Sequence, residues 1–205
     1  GETTEQEIRD RNERISDLSH KTITKVDTPI ERGISVPNEV ADEILSNFEV
    51  GEMVEIPDEN GHGSSGFSTS EETARGFAKV DDGDSEKTSI LFRILPNSKG
   101  EVRGAFIDGE PDDNDPPGFW TEEEITRSSK SKAEVVSVET KKMSNGKIVK
   151  IVTLQEPEDL TETIVKESNK KYSELSRRYL EGPINPKPQK KKLQKEQFKA
   201  KSKET

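Results

Sequence analysis

The chain has 205 residues and a formal net charge of −10 at pH 7; 27% of its residues are hydrophobic and 36% are charged. The hydrophobic share lies well below the ~45–50% of average proteins, so we expect one domain with a modest core and some segments that do not fold. The acidic balance argues against general nucleic-acid binding by the body of the protein, and the absence of cysteine excludes disulfides and cysteine metal sites.

The first 21 residues form a polar segment that we interpret as a helix or an extension. Ile8, Ile15 and Leu18 fall roughly on one helical face, which gives only a thin apolar stripe. The segment lacks the charged-then-apolar pattern of a signal peptide. No apolar run in the chain approaches the ~20 residues of a membrane span, so we expect no membrane-spanning helix.

A folded body is predicted between residues 22 and 181. It begins with a helix in PNEVADEILSNF, where Asn38 can serve as the N-cap and apolar residues recur at helical spacing. The strand EMVEIP and the glycine-rich loop DENGHGSSG follow. Ser70 can then cap a second helix, in which we expect Ala74, Phe77 and Ala78 to face the core.

The second half of the body is rich in β-forming residues. Strands are predicted in TSILFRIL, VRGAFI, AEVVSVE and KIVKIVTL, and Asn145-Gly146 predicts a hairpin turn between the last two, with ragged register beside it. A closing helix is predicted in LTETIVKESNKKYSELSRRYL. Helices and short strands without a βαβ series predict an α+β fold built on small antiparallel sheets.

Residues 182–205 differ in composition from the rest of the chain. Eight lysines and one glutamate lie between positions 187 and 203, and three prolines interrupt any regular helix. We predict a disordered basic tail. Two interpretations of it stay open: a solvated tail without a partner, or a patch that contacts nucleic acid or another acidic surface.

Few residues are available for the common types of catalytic site. The two histidines, His20 and His62, leave almost nothing for a histidine metal site or a Ser-His-Asp triad, and GHGSSG lacks the ending of a P-loop.

Carboxylates are the remaining candidates for catalytic groups. If TEEEIT is extended, Glu122 and Glu124 point to the same face and can serve a cationic substrate or transition state. The alternative is a solvated acidic loop.

Two further features accompany this acidic motif. Arg32 lies in the short stretch TPIERGISV, and its planar guanidinium suits a bidentate contact with phosphate or carboxylate, although a surface salt bridge is the alternative. Ser68, Thr69 and Ser70 form a hydroxyl triplet between an aromatic residue and the second helix. The triplet can be a strand end with an N-cap, or part of a nucleotide pocket.

The order of these three features resembles the mono-ADP-ribosyltransferase family, in the subgroup with an Arg, Ser-Thr-Ser, Glu-x-Glu pattern. The matching segments are IERGIS, GFSTS and TEEEIT, and the resemblance covers roughly residues 22–154. The chain is similar to the catalytic domains of binary actin-modifying toxins and to phage ADP-ribosyltransferases. The resemblance implies an ADP-ribosyltransferase-like fold, with two small packed β-sheets and flanking helices, over residues 22–181.

The resemblance also implies NAD as the substrate, no metal, and a role for each matching residue. Arg32 would hold the phosphates or the adjoining ribose, and Ser68 would orient Glu124. Glu124 would bind the nicotinamide ribose and stabilise the oxocarbenium-like charge of the transition state. Glu122 would orient or deprotonate the acceptor. The other positions implied to contact NAD or shape its pocket are Gly33, Thr69, Ser70 and Phe77.

The implied reaction is transfer of ADP-ribose to a target protein, and a glutamate at position 122 implies an accessible arginine as acceptor. If the strand is bulged, Glu123 takes the place of Glu124. Two alternatives stay open: an NAD glycohydrolase with water as acceptor, and a non-catalytic interaction protein associated with a phage head. The resemblance implies a location in the cytoplasm of a target or host cell, or carriage in a virion.

Overall fold

Three helices and nine strands have defined bounds in this computed structural model, which describes residues 4–58, 61–106, 124–161 and 164. The helices are α1 (Glu5–Lys21), α2 (Asn38–Leu45) and α3 (Glu71–Ala78). The strands are β1 (Ile23–Lys25), β2 (Ile30–Pro37), β3 (Met53–Glu55), β4 (Ser64–Ser68), β5 (Lys87–Leu95), β6 (Glu101–Arg103), β7 (Glu124–Ser128), β8 (Lys132–Lys142) and β9 (Ile148–Gln155). The predicted α+β class with two sheets and helices is confirmed.

The chain divides into two units, residues 1–158 and 159–205, and every element named above belongs to the first. Nearly all of the predicted closing helix, the basic tail and the segment 107–123 with Glu122 lie outside the described residues. Among the residues that are described, no helix combines the length and the apolar character needed to cross a membrane.

The two sheets differ in size. β1 and β6 form an antiparallel pair, and the other seven strands form one sheet in the order β3-β8-β9-β5-β2-β4-β7. All neighbours in that sheet are antiparallel except β5 and β9, which run parallel. The position of β2 between β5 and β4, and that of β4 between β2 and β7, matter for the site described below.

Alternation along the strands gives the large sheet two buried faces. Ile34 and Phe92 point to one face and form the main core with Ala41 of α2. Leu91 points to the other face, where it packs with Ala74 of α3. The successive residues Leu91 and Phe92 on β5 therefore serve opposite sides, as the two-residue period of a strand requires.

Helix α3 lies directly on β2. A Cβ at Gly33 would collide with the backbone of Ala74 and Ala78, so only glycine permits this approach. Ser70 caps the helix as predicted, because its hydroxyl accepts from the backbone N–H of Thr73 at 3.3 Å. The prediction that Phe77 faces inward is wrong: its side chain is 71% exposed. The small alanines occupy the inner stripe, and Phe77 falls on the outer side of the helix.

Helix α2 forms where the sequence predicts it, but Asn38 is its first helical residue and does not act as the N-cap. Pro37 occupies the cap position and makes no side-chain cap bond. The Asn38 amide instead donates to the Ser85 carbonyl at 3.0 Å, and its oxygen accepts from the Thr88 hydroxyl at 2.8 Å. The side chain is thus used to join α2 to the start of β5.

Helix α1 packs through small polar residues instead of its predicted apolar stripe. Ser16 and Ser19 are its buried residues, whereas Ile8 is 47% exposed. The hydroxyls of Ser16 and Ser128 lie 2.8 Å apart, which joins the helix to β7. Because serine is small, the helix backbone can approach the sheet closely there.

The predicted hairpin between β8 and β9 is confirmed. The turn contains Asn145 and Gly146, and Gly146 has a φ of 88°, a left-handed conformation that glycine adopts without strain. The pairing beside the turn is regular, so the ragged register expected there is wrong. The irregularity lies at the far end of the hairpin, between Val135 and Ser137.

A buried ion pair links the two sheets. Arg127 of β7 and Glu156, just after β9, form two contacts of 2.8 Å and are almost fully buried. The backbone of Arg103, in the small sheet, donates its N–H to Glu156 and accepts from Arg127 through its carbonyl. Both members of the pair therefore have charged and backbone partners, which offsets the cost of burying them, while the buried Arg127 Nε has no hydrogen-bond partner among the described residues.

Candidate active site

The end of β4 lies between two strands that each bring an acidic residue to it. Ser68, the last residue of β4, is the cross-strand partner of Glu31 on β2 and of Glu124 on β7. Directly paired residues of antiparallel strands have their side chains on the same face, with Cβ atoms about 4.5–5.5 Å apart. The Ser68 side chain is therefore flanked by a carboxylate on each side.

The row continues onto β5. Glu31 is also the cross-strand partner of Arg93, and the Arg93 Nε lies 3.4 Å from the Glu31 Oε1. We call Arg93, Glu31, Ser68 and Glu124 the charged row. It crosses four adjacent strands on the face of the sheet that α3 covers, beside the N-terminus of that helix.

The two carboxylates of the charged row differ in environment. Glu31 is 8% exposed, whereas Glu124 is exposed. Burial raises the pKa of Glu31 above its usual value, and the nearby Glu71 raises it further, while Arg93 and Arg75 oppose the shift. Of the two carboxylates in the row, Glu31 is therefore the buried one, and Glu124 is the one that a ligand in solution can reach.

The carboxylate of Glu124 rests against the backbone of β4. A Cβ on Gly66 would collide with the Glu124 Oε1, so the carboxylate occupies the space that a side chain at position 66 would fill. Gly66 lies two residues before Ser68 and therefore on the same face of β4. The missing side chain lets the Glu124 carboxylate lie over the strand near the serine.

The hydroxyl triplet is held by its own hydrogen bonds. The Ser68 hydroxyl accepts from the backbone N–H of Ser70 at 2.9 Å, and Ser70 in turn caps α3. One oxygen lone pair of Ser68 is engaged in this bond, so its O–H proton can be offered to an acceptor on the row. One three-residue segment thus ends β4 and contributes to the row at Ser68, and caps α3 at Ser70. Thr69 lies half-buried between the two serines.

Arg32 starts from the other face of β2. Its neighbour Glu31 belongs to the charged row, and successive residues of a strand point to opposite faces. The half-buried Arg32 reaches β4 through its Nη1, which donates to the Gly66 carbonyl at 3.2 Å. The guanidinium is therefore tied to β4 at Gly66, the residue over which the Glu124 carboxylate lies, although Arg32 does not belong to the row.

The other predicted site residues occupy different surroundings. Gly33 is covered by α3, so its observed role is close packing. Phe77 is exposed on the outer side of α3. Glu122 lies outside the described residues. The predicted contacts of these residues with NAD or a target protein stay predictions.

Sequence reasoning missed Glu31, Arg93 and the part played by Gly66. Glu31 precedes Arg32 in a stretch whose alternate residues Ile30, Ile34 and Val36 are buried. That alternation could have indicated that Glu31 points away from the main core. Its pairing with Ser68 and Arg93 depends on strand order and register, which no local pattern contains.

The charged row can bind a polar ligand and stabilise a charge on it. An exposed carboxylate beside a serine hydroxyl can accept hydrogen bonds from sugar hydroxyls and stabilise positive charge that develops next to it. Within the described ranges, no group of three or more histidine, aspartate or glutamate side chains is placed to hold a metal ion.

The chain was compared with known families, curated proteins and solved structures. No family model matches it, and no curated protein does. A solved structure of ADP-ribosyltransferase Vis in complex with M6 Inhibitor is similar to 66% of this chain and 52% of that chain, with 15% identity and a TM-score of 0.37. A second, of the same protein in complex with agmatine, covers 78% of this chain and 88% of that one, with 13% identity and a TM-score of 0.37. The chain thus spans about half the length of the first of these structures.

Proposed function

We propose that the chain is a mono-ADP-ribosyltransferase that transfers ADP-ribose from NAD to an arginine of a protein and releases nicotinamide. The observation that carries the proposal is the direct pairing of Ser68 with Glu124, whose carboxylate rests on Gly66. Ser68 and Glu124 belong to two different motifs and lie 56 positions apart in the chain. Their meeting supports a shared role.

Glu124 is the catalytic carboxylate in this proposal. When the bond between the ribose C1′ and the nicotinamide nitrogen breaks, the electron pair leaves with nicotinamide and positive charge develops on the ribose. A carboxylate fixed beside that carbon stabilises the charge without reorganising. The backbone of Gly66 and the exposure of Glu124 support this role, because the carboxylate is both positioned and reachable.

Ser68 is proposed to orient Glu124, and the rest of the triplet to hold Ser68. The bond from the Ser70 N–H leaves the Ser68 proton available for a carboxylate, which supports this role.

Arg32 is proposed to bind the phosphates or the adjoining ribose of NAD. Its link to the Gly66 carbonyl supports a guanidinium that is fixed against β4, the strand that ends at Ser68.

Two residues outside the row complete the proposal, Glu122 on the acceptor side and Phe77 on the nicotinamide side. Glu122 would accept a proton from the arginine nitrogen as that nitrogen bonds to the ribose C1′. Phe77 would stack on nicotinamide, for which its exposed ring is available. Gly33 supports the pocket indirectly, because it sets the distance between α3 and β2.

Release of nicotinamide from NAD tests the proposal. We expect release to be faster with an arginine-containing protein acceptor than without one, and mass spectrometry of the acceptor to show added ADP-ribose on arginine. Release that is independent of acceptor, with free ADP-ribose as the product, indicates an NAD glycohydrolase. No release under either condition rejects enzymatic activity on NAD and favours a non-catalytic interaction protein.

A further inference from the structure

A groove of about 790 Å³ lies between α2, the loop that follows it and β3, away from the charged row. Its floor is apolar. Ile44 and Val54 pack against the main core there, while Val40 and Met53 remain 40% and 48% exposed. Exposed apolar side chains that adjoin one another in a groove are typical of binding surfaces.

The rim of the groove is acidic. Four glutamates and one lysine line it: Glu43, Glu49, Glu52, Glu55 and Lys132. All five side chains are exposed. None of the four carboxylates takes part in an ion pair or a side-chain hydrogen bond with another residue of the described ranges. Lys132 is the cross-strand partner of Glu55, so the four glutamates and one lysine give the described lining of the groove a net excess of three negative charges.

One wall of the groove is an edge strand of the large sheet. Among the described strands, β3 stands at the end of the strand order and pairs with β8 alone. An edge strand offers backbone N–H and C=O groups to an added strand. Val54 points to the same face as its partner Ala133, which belongs to the main core. Alternate residues of an added strand would therefore lie over Val54 and the exposed side of α2.

We propose that this groove binds an extended basic segment of a partner protein, in which apolar residues alternate with lysine or arginine, by strand addition to β3. The apolar residues would cover the floor, and the cations would meet the four carboxylates. The same negative charge disfavours nucleic acid, an anionic membrane and an acidic peptide. The proposal does not depend on the activity proposed above, since the groove contains no residue of the charged row.

Fluorescence polarisation with a labelled ten-residue peptide of alternating valine and lysine tests the proposal on the full chain. At 0.15 M salt we expect saturable binding, and none for a peptide of alternating valine and glutamate. The double variant Glu49→Lys/Glu52→Lys should weaken binding about tenfold or more, because it replaces two charges that attract the cationic peptide with two that repel it. The matched control Glu7→Lys/Glu13→Lys makes the same charge change on exposed positions of α1 and should stay within about twofold of wild type.

A peptide N-methylated at alternate residues separates strand addition from simple charge attraction. It keeps every cation but cannot donate its methylated backbone groups, so we expect at least a ~10-fold loss of affinity. Circular dichroism and the melting temperature check that each variant is folded, and Glu49→Gln/Glu52→Gln provides a milder second variant. Absence of binding, equal losses in the groove and control variants, or undiminished binding of the methylated peptide would each overturn the proposal.

Discussion

Glu124 is the single residue on which the proposed chemistry depends most. Glu124→Gln keeps the size of the side chain but removes the charge that faces the developing cation. We expect NAD cleavage and protein modification to fall by about 10²-fold or more, the usual effect of removing one preorganised electrostatic partner. Glu122→Gln should reduce transfer to arginine and leave slow hydrolysis of NAD. Nicotinamide release and acceptor labelling, measured side by side, distinguish the two.

The outcome of Glu123→Gln checks the register of this motif. If Glu123→Gln is the inactive variant and Glu124→Gln is active, the catalytic position is wrong by one residue. If all three substitutions leave NAD turnover unchanged while the wild-type protein is active, the carboxylates have no part in the chemistry. Glu124→Gln should fold, because substitution of an exposed residue usually changes stability by about 0.5 kcal/mol or less.

Gly66 provides a test of how Glu124 is positioned. In Gly66→Ala the added methyl group takes the space of the Glu124 Oε1, so the flexible side chain of Glu124 must move away. We expect NAD cleavage to fall on the order of 10- to 100-fold, as a displacement near 1 Å can cause, with little change in melting temperature. The double variant Gly66→Ala/Glu124→Gln should lose no more than Glu124→Gln alone. A further loss in the double variant would show that Gly66 acts on something other than Glu124.

Glu31 makes the stability of the protein depend on pH in a defined direction. Because burial raises its pKa in the folded state, the folded protein binds this proton more tightly than the unfolded chain does. Its contribution to stability is full below the unfolded pKa, near 4.5, and is lost as the pH rises through the folded pKa. We therefore expect Glu31→Gln to gain in melting temperature relative to wild type between pH 4 and pH 8.

The comparison of the two proteins at each pH removes the titration of all other groups. A difference in melting temperature that stays constant with pH, or that moves in favour of wild type as the pH rises, contradicts this prediction. The ion pair with Arg93 works against the trend, since it is lost in the variant at high pH. Burial outweighs it in setting the direction of the shift.

At the scale of elements, α3 packs directly on β2, and Gly33 makes this close approach possible. Gly33→Ala places a methyl group inside the backbone of α3, so we expect a loss of about 1–3 kcal/mol or more, as for overpacking. Gly76→Ala, on the same helix, is the matched control. No heavy atom lies within 4 Å of its new Cβ, and the change should stabilise the protein by about 0.4–1 kcal/mol. Urea denaturation measures both, and equal effects would show that α3 does not rest on Gly33.

Most elements could be predicted from the sequence because their signals are local. The β-rich segments became β5, β8 and β9, and Asn145-Gly146 formed the turn between the last two. The errors arose where a side chain had a distant partner or where several helical faces were possible. Asn38 is engaged by Ser85 and Thr88, and the outward position of Phe77 depends on how closely α3 approaches Gly33.

The candidate site was predictable only in part for the same reason. The hydroxyl triplet and the acidic motif are visible as short patterns. Glu31 and Arg93 become neighbours of Ser68 only because β2 lies between β5 and β4 in the sheet. The order and register of strands that are distant in the chain are set by the packing of the whole core. They therefore cannot be predicted from the sequence of any one segment.

At the scale of the whole molecule, the two sheets are joined by a charge pair instead of an apolar contact alone. Arg127 and Glu156 are 1% and 0% exposed, and the backbone of Arg103 is hydrogen-bonded to both of them. A buried pair of this kind adds little net stability compared with a well-packed apolar pair, but leaving one partner without the other is costly. The pair therefore specifies how the sheets meet more than it strengthens the contact.

Breaking this pair on one side should destabilise the entire unit. Glu156→Gln removes the charge that compensates the buried Arg127 guanidinium, so we expect a loss of about 3–5 kcal/mol in the free energy of unfolding. The double variant Arg127→Met/Glu156→Gln removes both charges, fills the space of the arginine stem and keeps an acceptor for the Arg103 N–H. It should therefore recover part of that loss. Urea denaturation followed by far-ultraviolet circular dichroism measures both. A single variant that loses under ~1 kcal/mol, or a double variant less stable than the single one, would show that charge compensation does not hold the two sheets together.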